Sequence, residues 1–450
     1  MQRGVVFLFS IIYILYAGSF TLMKGQSRDV SLEECINIAL QHHPGIKTSA
    51  EDENSAVAQY KVARSRKRLQ VYLGLNTVEY LKPEASQGKF NVPGQDTTIG
   101  LFVGPTATYN LYDPKRSEAV EVARLSIDLS KLKAVKVKSS IINSIKKAYY
   151  TYGLARETSL LREELMKKFE AKLKRARVLF RLGQRPILDV SKSEVDLEAS
   201  KLEYERAKNQ ENLSKSNLLS SMGIVQEDIA FSPTAFEELP ELKYNLKELY
   251  NLSENNYPDL KIVRLQKDIG RTSISMEKSA YYPSVDLTAS LGFENKQIQG
   301  KDNFSDNYNK SNWNPAFHAG ITAQVPLYTG GGISGKIDVA LADYNKILYQ
   351  EQEIMINMRS LLKSYYQEMV VLKRQLEIAR LSITNAENHL KLAQKSYDNG
   401  LGSQLEMQDA ELSVLNAQMS FIKAKYEYMI ALANLSHVVG LGEDKICLKK

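Results

Sequence analysis

The sequence predicts a chain dominated by α-helix that carries a small membrane-crossing β part. Three observations predict it: the chain is built as two repeats, each repeat holds a long stretch without a helix breaker, and each holds two short runs of apolar alternation.

The repeat is visible by self-comparison. The turn Arg181-Leu182-Gly183 reappears at Asp398-Asn399-Gly400, and the halves then stay in register: Leu188 matches Leu405, Asp189 matches Glu406, Glu194 matches Glu411, Leu218 matches Leu435 and Gly223 matches Gly440. Upstream, Pro44 matches Pro258, Tyr149 matches Tyr366, and Leu111-Tyr112 matches Leu327-Tyr328. The spans are 28–223 and 245–440, joined by a linker at 224–244 and followed by a tail at 441–450. A unit of this length is one structural half built twice, far beyond a solenoid repeat.

In chain order, residues 1–27 read as a secretory signal peptide. Arg3 supplies the positive start, Val5 to Tyr16 is almost wholly apolar and too short to span a bilayer, and Ala17-Gly18-Ser19 offers small residues for cleavage, after Ser19 or nearer Ser27. Each repeat then predicts a helix, two strands and a long helical hairpin. The strands fall at 70–81 and 99–112, then at 283–294 and 315–328; the hairpins fall at 115–222 and 334–438.

The strand runs alternate with period two. Val285, Leu287, Ala289, Leu291 and Phe293 interleave with Ser284, Asp286, Thr288, Ser290 and Gly292, and the runs from Leu101 and Phe317 behave alike. About ten residues is the length a tilted strand needs to cross lipid. Tyr112, Tyr281, Tyr282 and Tyr328 mark one end of the runs, and Tyr80, Phe293, Trp313 and Phe317 the other, as two interfacial girdles would. The same alternation suits a sheet packed on a soluble core; the export signal and the repeat favour the membrane. Four strands cannot close, and lipid does not tolerate an open edge, so several copies must share one barrel.

The hairpins follow from proline and glycine placement. No proline lies between Pro114 and Pro186, and none follows Pro326. About 65 residues without an internal breaker form one helix of roughly 100 Å. Met358, Leu362, Tyr365, Met369, Leu372, Leu376, Ala379, Ile383, Ala386, Leu390, Ala393 and Tyr397 alternate at spacings of four and three, which is a coiled-coil seam. A rougher seam runs from Ile141 to Phe180.

Several function classes are excluded or left without support. The formal charge is +7, and removal of Arg3 and Lys24 leaves about +5 with both signs interleaved, so nothing points to nucleic acid. Catalytic, cofactor-binding and metal-ligating residues are assigned to none: the five histidines are scattered, and no Cys/His spacing suits zinc. Gly330 to Lys336 has the spacing of a phosphate loop, but Ile337 stands where a magnesium-binding hydroxyl is needed, so the glycines are assigned to a strand-to-helix corner. Cys35 and Cys447 leave both a disulfide and two free thiols open.

Val325-Pro326-Leu327-Tyr328-Thr329-Gly330-Gly331 at such a corner resembles the TolC-type outer-membrane efflux family. So do Tyr397-x-x-Gly400 followed by Glu406 and Asp409, and the opening from Leu32 to Pro44. The resemblance implies a homotrimer in outer-membrane lipid, with four strands per protomer forming a shared twelve-stranded β-barrel continued by a long antiparallel α-helical coiled-coil barrel in the periplasm. It implies a passive exit duct that meets a periplasmic adaptor (membrane fusion) protein and an inner-membrane transporter. It implies a periplasmic gate at Tyr397, Gly400, Glu406, Asp409, Gly183 and Asp189, and adaptor-docking tips at Leu182, Gly183, Gln184 and Arg185 and at Gly400, Leu401, Gly402 and Ser403. Gly402 departs from family members that carry an arginine there, so any closing network is built differently, with Arg185 and Lys192 as candidates. Six crowded carboxylates on a narrow axis would attract cations; without the resemblance the same acids read as helix caps. A type I protein-secretion duct is the alternative within the family. A periplasmic coiled-coil adaptor or structural tether is the alternative outside it, and it leaves the strands unexplained.

Overall fold

In the computed structural model, the described residues are 30–81, 97–184, 186–225, 229, 231, 240–299, 313–399 and 401–447. The signal segment, Arg185, Gly400 and most of the two strand-connecting loops lie outside them.

The first repeat comprises α1 (Leu32–His42), α2 (Pro44–Ser65), β1 (Gln70–Leu81), β2 (Thr97–Tyr112), α3 (Pro114–Arg181) and α4 (Ile187–Met222). The second comprises α5 (Leu246–Asn256), α6 (Pro258–Lys278), β3 (Ser284–Gln299), β4 (Trp313–Gln324), α7 (Gly332–Asp398) and α8 (Gln404–Val439), followed by the short α9 (Glu443–Ile446). The leading helix of each repeat is broken in two by proline. His43 and Tyr257 hold extended backbones at ψ 124 and 120, because a following proline disfavours the helical region. Pro44 and Pro258 then open the next helix, where a missing N–H costs nothing. Ser31 with Glu34, and Asn245 with Glu248, form matching capping boxes at the starts of α1 and α5.

The chain folds into two compact units, and neither is a repeat. Among the described residues, one collects those of 30–43, 144–231 and 379–427; the other collects those of 44–143, 240–378 and 428–447.

In the first unit, α3 packs on α4 through Phe169, Leu173, Ala176, Val190 and Leu197. Buried Tyr426 of α8 donates to Glu157 Oε1 of α3 at 2.5 Å, and Lys425 Nζ approaches the same oxygen at 3.4 Å. Phe231 of the linker is fully buried, stacks edge-on to Tyr152 with centroids 5.7 Å apart, and lends its carbonyl to Arg156. Cys35 is also buried in this unit, its thiol pushed up to about 12 by loss of water.

In the second unit a four-stranded antiparallel sheet is ordered β1-β2-β3-β4. Its centre is the β2–β3 pair, which joins the repeats through Ala107 opposite Ala289 and Thr108 opposite Thr288. β4 stops at Gln324, short of the alternation that reaches Leu327, because Pro326 cannot donate to a ladder. β3 runs on to Gln299, beyond the aromatic position that marks the end of its alternation. Helix α6 is tied to α7 by Lys267 Nζ and Arg264 Nε, which approach the two oxygens of Glu351 at 2.6 and 3.5 Å. Cys447 and Cys35 are both buried, and no disulfide joins them.

Candidate functional site: an open sheet and two helical turns

The pleat sorts the sheet into two faces. Val71, Leu73 and Leu75 of β1 oppose Ala107, Pro105 and Val103 of β2. The apolar face continues through Leu287, Ala289, Leu291 and Phe293 of β3 to Ile321, Ala319, Phe317 and Pro315 of β4. Leu73 is 81% exposed and Phe317 68% exposed, so among the described residues nothing covers this face. Tyr112, Tyr281, Tyr282 and Tyr328 are exposed at one end of the sheet, and Phe293, Trp313 and Phe317 toward the other; the side chain of Tyr80 lies outside the described residues. A bulge between Asn110 and Tyr112 re-aims the chain so that Tyr112 stands opposite Val285.

The other face is polar and internally bonded. Asn110 donates to Asp286 Oδ1 at 2.9 Å, and Thr106 and Ser290 share a hydrogen bond of 3.0 Å. Glu294 lies 3.8 Å from His318 Nε2, and the His318 ring meets Phe102 edge-on. Gly104 and Gly292 sit opposite across β2 and β3; a Cβ on Gly104 would come within 2.3 Å of the Leu291 carbonyl oxygen. At the corner into α3, Arg116 Nε pairs with Asp113 at 2.9 Å and its Nη1 reaches Asp286 at 3.4 Å. The equivalent corner into α7 is glycine-rich, with φ of 59 and 83 at Gly330 and Gly331, and α7 begins at Gly332. Those glycines turn the chain from strand to helix, as the sequence implies.

The two turns that end the long helices share one closing hydrogen bond. Gly183 takes φ 72, its N–H donates to the Phe180 carbonyl, and the Gln184 N–H donates to the Leu179 carbonyl, both at 2.9 Å. That is a Schellman close, which needs a left-handed residue at this position. In the second repeat the Leu401 N–H donates to the Ser396 carbonyl at 2.8 Å, the counterpart of the Gln184 bond. Leu182 and Leu401 at the apices are 66% and 87% exposed, and Gln184 and Ser403 are exposed beside them.

Of the acids expected at the gate, Glu406 closes a capping box. Its Oε2 accepts from the Ser403 N–H at 3.1 Å, and its own N–H donates to Ser403 Oγ at 3.2 Å. Asp409 is exposed one turn on, and Lys192 is exposed on α4. Asp189, in the first turn of α4, and Tyr397, at the end of α7, are half-buried and line one cleft of about 300 Å³. Lys172, Met407 and Glu411 share that cleft. Gly402 is crowded: a Cβ there would lie 3.0 Å from Ser396 Cβ. Gly400 and Arg185 fall outside the described residues. Sequence reading did not single out Lys172. Among the described residues no three His, Cys, Asp or Glu side chains converge on a metal position, and no helix is long and apolar enough to cross a membrane.

A repeated helix–strand–strand–hairpin chain with an open, outward-apolar sheet defines a channel of joined β and helical barrels. The model of the family described as outer membrane efflux protein matches residues 35–224 and 249–441, and the chain belongs to that family. It is similar to the outer membrane protein TolC of Salmonella enteritidis, 19% identical over 440 residues, covering 95% of this chain and 85% of TolC. It is also similar to the proteases secretion protein PrtF of Dickeya chrysanthemi, 23% identical over 303 residues, which span 64% of this chain and 61% of PrtF. Among solved structures, the outer membrane protein VceC of Vibrio cholerae superposes with a TM-score of 0.70 at 20% identity, covering 92% of this chain and 97% of VceC. The chain is thus an outer-membrane efflux channel, the exit duct of a tripartite export system.

Proposed function

We propose that three copies assemble into one duct, each supplying four strands to a twelve-stranded barrel and two hairpins to a helical barrel in the periplasm. The observation that carries this is the sheet itself. Among the described residues β1 pairs only with β2 and β4 only with β3, so both edges are unpaired while one face exposes Leu73, Leu291, Phe317 and Ile321. In lipid such edges must be paired, and a second and third copy pair them without any other protein. The polar face, with Thr106, Asn110, Asp286, Ser290 and Glu294, then lines a water-filled lumen.

The helical turns form the periplasmic gate, with Tyr397, Gly400, Glu406, Asp409, Gly183 and Asp189 around it. The apices from Leu182 to Arg185 and from Gly400 to Ser403 receive a periplasmic adaptor protein, which couples the duct to an inner-membrane transporter. Exposed Leu182 and Leu401 support that use, since solvent gives an apex leucine nothing to pack on. Opening is a rigid-body shift of the hairpins on adaptor binding. A protein cargo is a second reading, favoured by the likeness to PrtF, whose name assigns it to protease secretion.

The test is electrophoresis of outer-membrane fractions with and without heating, joined to single-channel recording in planar bilayers. Trimers that dissociate only on heating and conduct ions are expected. A monomer that remains in the aqueous fraction after cell lysis overturns the assembly. Gly400→Trp is expected to leave trimers in the membrane and abolish export.

A further inference from the structure

We propose that the basic run at 64–68, where α2 gives way to β1, is a docking surface for anionic phospholipid head groups in the periplasmic leaflet of the outer membrane. The proposal rests on the barrel lying in lipid as described above, with its helix-bearing end toward the periplasm. Arg64, Arg66, Lys67 and Arg68 are all exposed, and no acid interrupts them. Leu69, next in the chain, is 61% exposed, and Val71 opens the uncovered apolar face two residues later. A strand rises about 3.3 Å per residue, so the Arg68 backbone is within about 10 Å of that apolar edge, a span its long side chain covers.

The run is held in place from the first turn of α3. Lys67 Nζ donates to Ser117 Oγ at 3.0 Å, and Arg116 Nη1 donates to the Arg66 carbonyl at 3.3 Å. The acids at this end are engaged elsewhere. Glu277 pairs with Lys115 at 2.8 Å, Asp113 and Asp286 both pair with Arg116, and Glu118 accepts from Ser275 Oγ at 3.1 Å. Among the described residues none of these acids pairs with Arg64, Arg66 or Arg68, so three exposed guanidinium groups keep their charge uncompensated. A guanidinium fork matches phosphate oxygens, and clustered cations beside a bilayer select its anionic lipids.

The repeat identifies the kind of surface. With Pro44 set against Pro258, Arg64 falls on Lys278 and Ser65 on Ser279, whereas Arg66, Lys67 and Arg68 fall on Ala280, Tyr281 and Tyr282. The second copy of this connector therefore carries two exposed tyrosines at the same end of the sheet. Tyrosines and long cations are the two classes of side chain that anchor a protein at the membrane–water boundary. A solvated helix end has no reason to exchange one class for the other, and a lipid boundary accepts both. An acidic soluble partner would use the cations but leave exposed Leu69 without a role.

The test is native mass spectrometry of the full-length assembly in detergent, titrated with dioleoyl phosphatidylglycerol and with dioleoyl phosphatidylcholine. Phosphatidylglycerol is expected to bind about tenfold more tightly. The triple variant Arg64→Gln, Arg66→Gln, Arg68→Gln is expected to bring the two lipids within about twofold, and lysine at the same three positions to keep most of the preference. Arg68→Gln alone is expected to cost about threefold in protein that still runs as the native assembly. Glutamine at Lys363, Lys391 and Lys395, exposed positions well along α7, removes the same charge and should leave the preference intact. Equal binding of the two lipids by the unaltered protein, or a preference unchanged by the triple variant, overturns the proposal. So does displacement of phosphatidylglycerol by millimolar glycerol 3-phosphate, which marks a site for soluble anions, and so does arginine-dependent binding of polyglutamate without lipid preference. Assembly is scored separately by heat-modifiable electrophoresis, so loss of this surface and loss of the duct are distinguishable.

Discussion

Gly153 of α3 lies against the ring of Tyr426 of α8: a Cβ at Gly153 would stand 2.5 Å from Tyr426 Cε1 and 3.0 Å from its hydroxyl oxygen. The ring has little room to move, because Tyr426 is buried and its hydroxyl donates to Glu157. Gly153→Ala is therefore expected to destabilise the helical unit by about 1–3 kcal/mol, although alanine is the better helix former. Thermal unfolding followed by circular dichroism measures it. Adding Tyr426→Leu to Gly153→Ala should recover part of the loss, and equal losses in the single and double variants would show that the contact is not the cause.

Gly104 and Gly292 make the same kind of contact between strands, with the Gly292 Cβ position 2.2 Å from the Val103 carbonyl oxygen. The obstacle is backbone, which cannot rotate aside. Gly292→Val is expected to prevent β2 from pairing with β3 and to remove the protein from heat-modifiable outer-membrane assemblies. Gly320→Val on neighbouring β4, where nothing lies within 4 Å, is the matched control and should assemble.

Glu351 makes the junction of α6 and α7 acid-sensitive. The hydrogen bond from Lys267 holds its carboxyl below the ordinary glutamate value, with Arg264 contributing in the same direction. A carboxyl lowered on folding adds stability that is complete above its unfolded value of about 4.3 and is lost as pH falls through the lower native value. Melting temperature should drop on acidification below about pH 4. Glu351→Gln should flatten that drop while lowering stability at neutral pH, and parallel pH curves for the two proteins would refute the assignment.

Cys35 should be inert in the native protein. Its side chain is fully buried and its thiol is raised to about 12, so almost no thiolate exists at neutral pH. Maleimide labelling followed by mass spectrometry is expected to miss Cys35 until denaturant is added. No disulfide joins Cys35 and Cys447, so reducing agent should leave electrophoretic mobility unchanged.

Much of this architecture was legible because the long elements repeat one simple pattern. Every position of the seam from Met358 to Tyr397 is buried or half-buried, and Met358 and Leu362 are fully buried. The rougher first seam fails at its end, where Phe180 is 41% exposed beside the turn. Period two placed the strands, and their face assignment survives in the register of Leu287 opposite Ile321. The single leading helix expected in each repeat is instead two, although Pro44 and Pro258 were present to announce the break. The turn acids were the least legible. Glu406 three residues after Ser403 is a capping-box spacing as much as a gate signature, and the structure gives it the capping bonds. The basic run at 64–68 had no signal in a single pass along the chain; only its place opposite 278–282 in the second repeat marks it.

Each compact unit draws segments from both repeats, and the middle of the sheet pairs 97–112 with 284–299. Neither half of the gene therefore encodes something that can mature alone. The ribosome must deliver the polypeptide through Gln299 before the central ladder can form, and until then β2 travels with a bare edge on a non-local partner's side. During that interval the chain is exposed to self-association in the aqueous compartment it crosses, so its passage to lipid depends on being kept unfolded or escorted rather than on folding early.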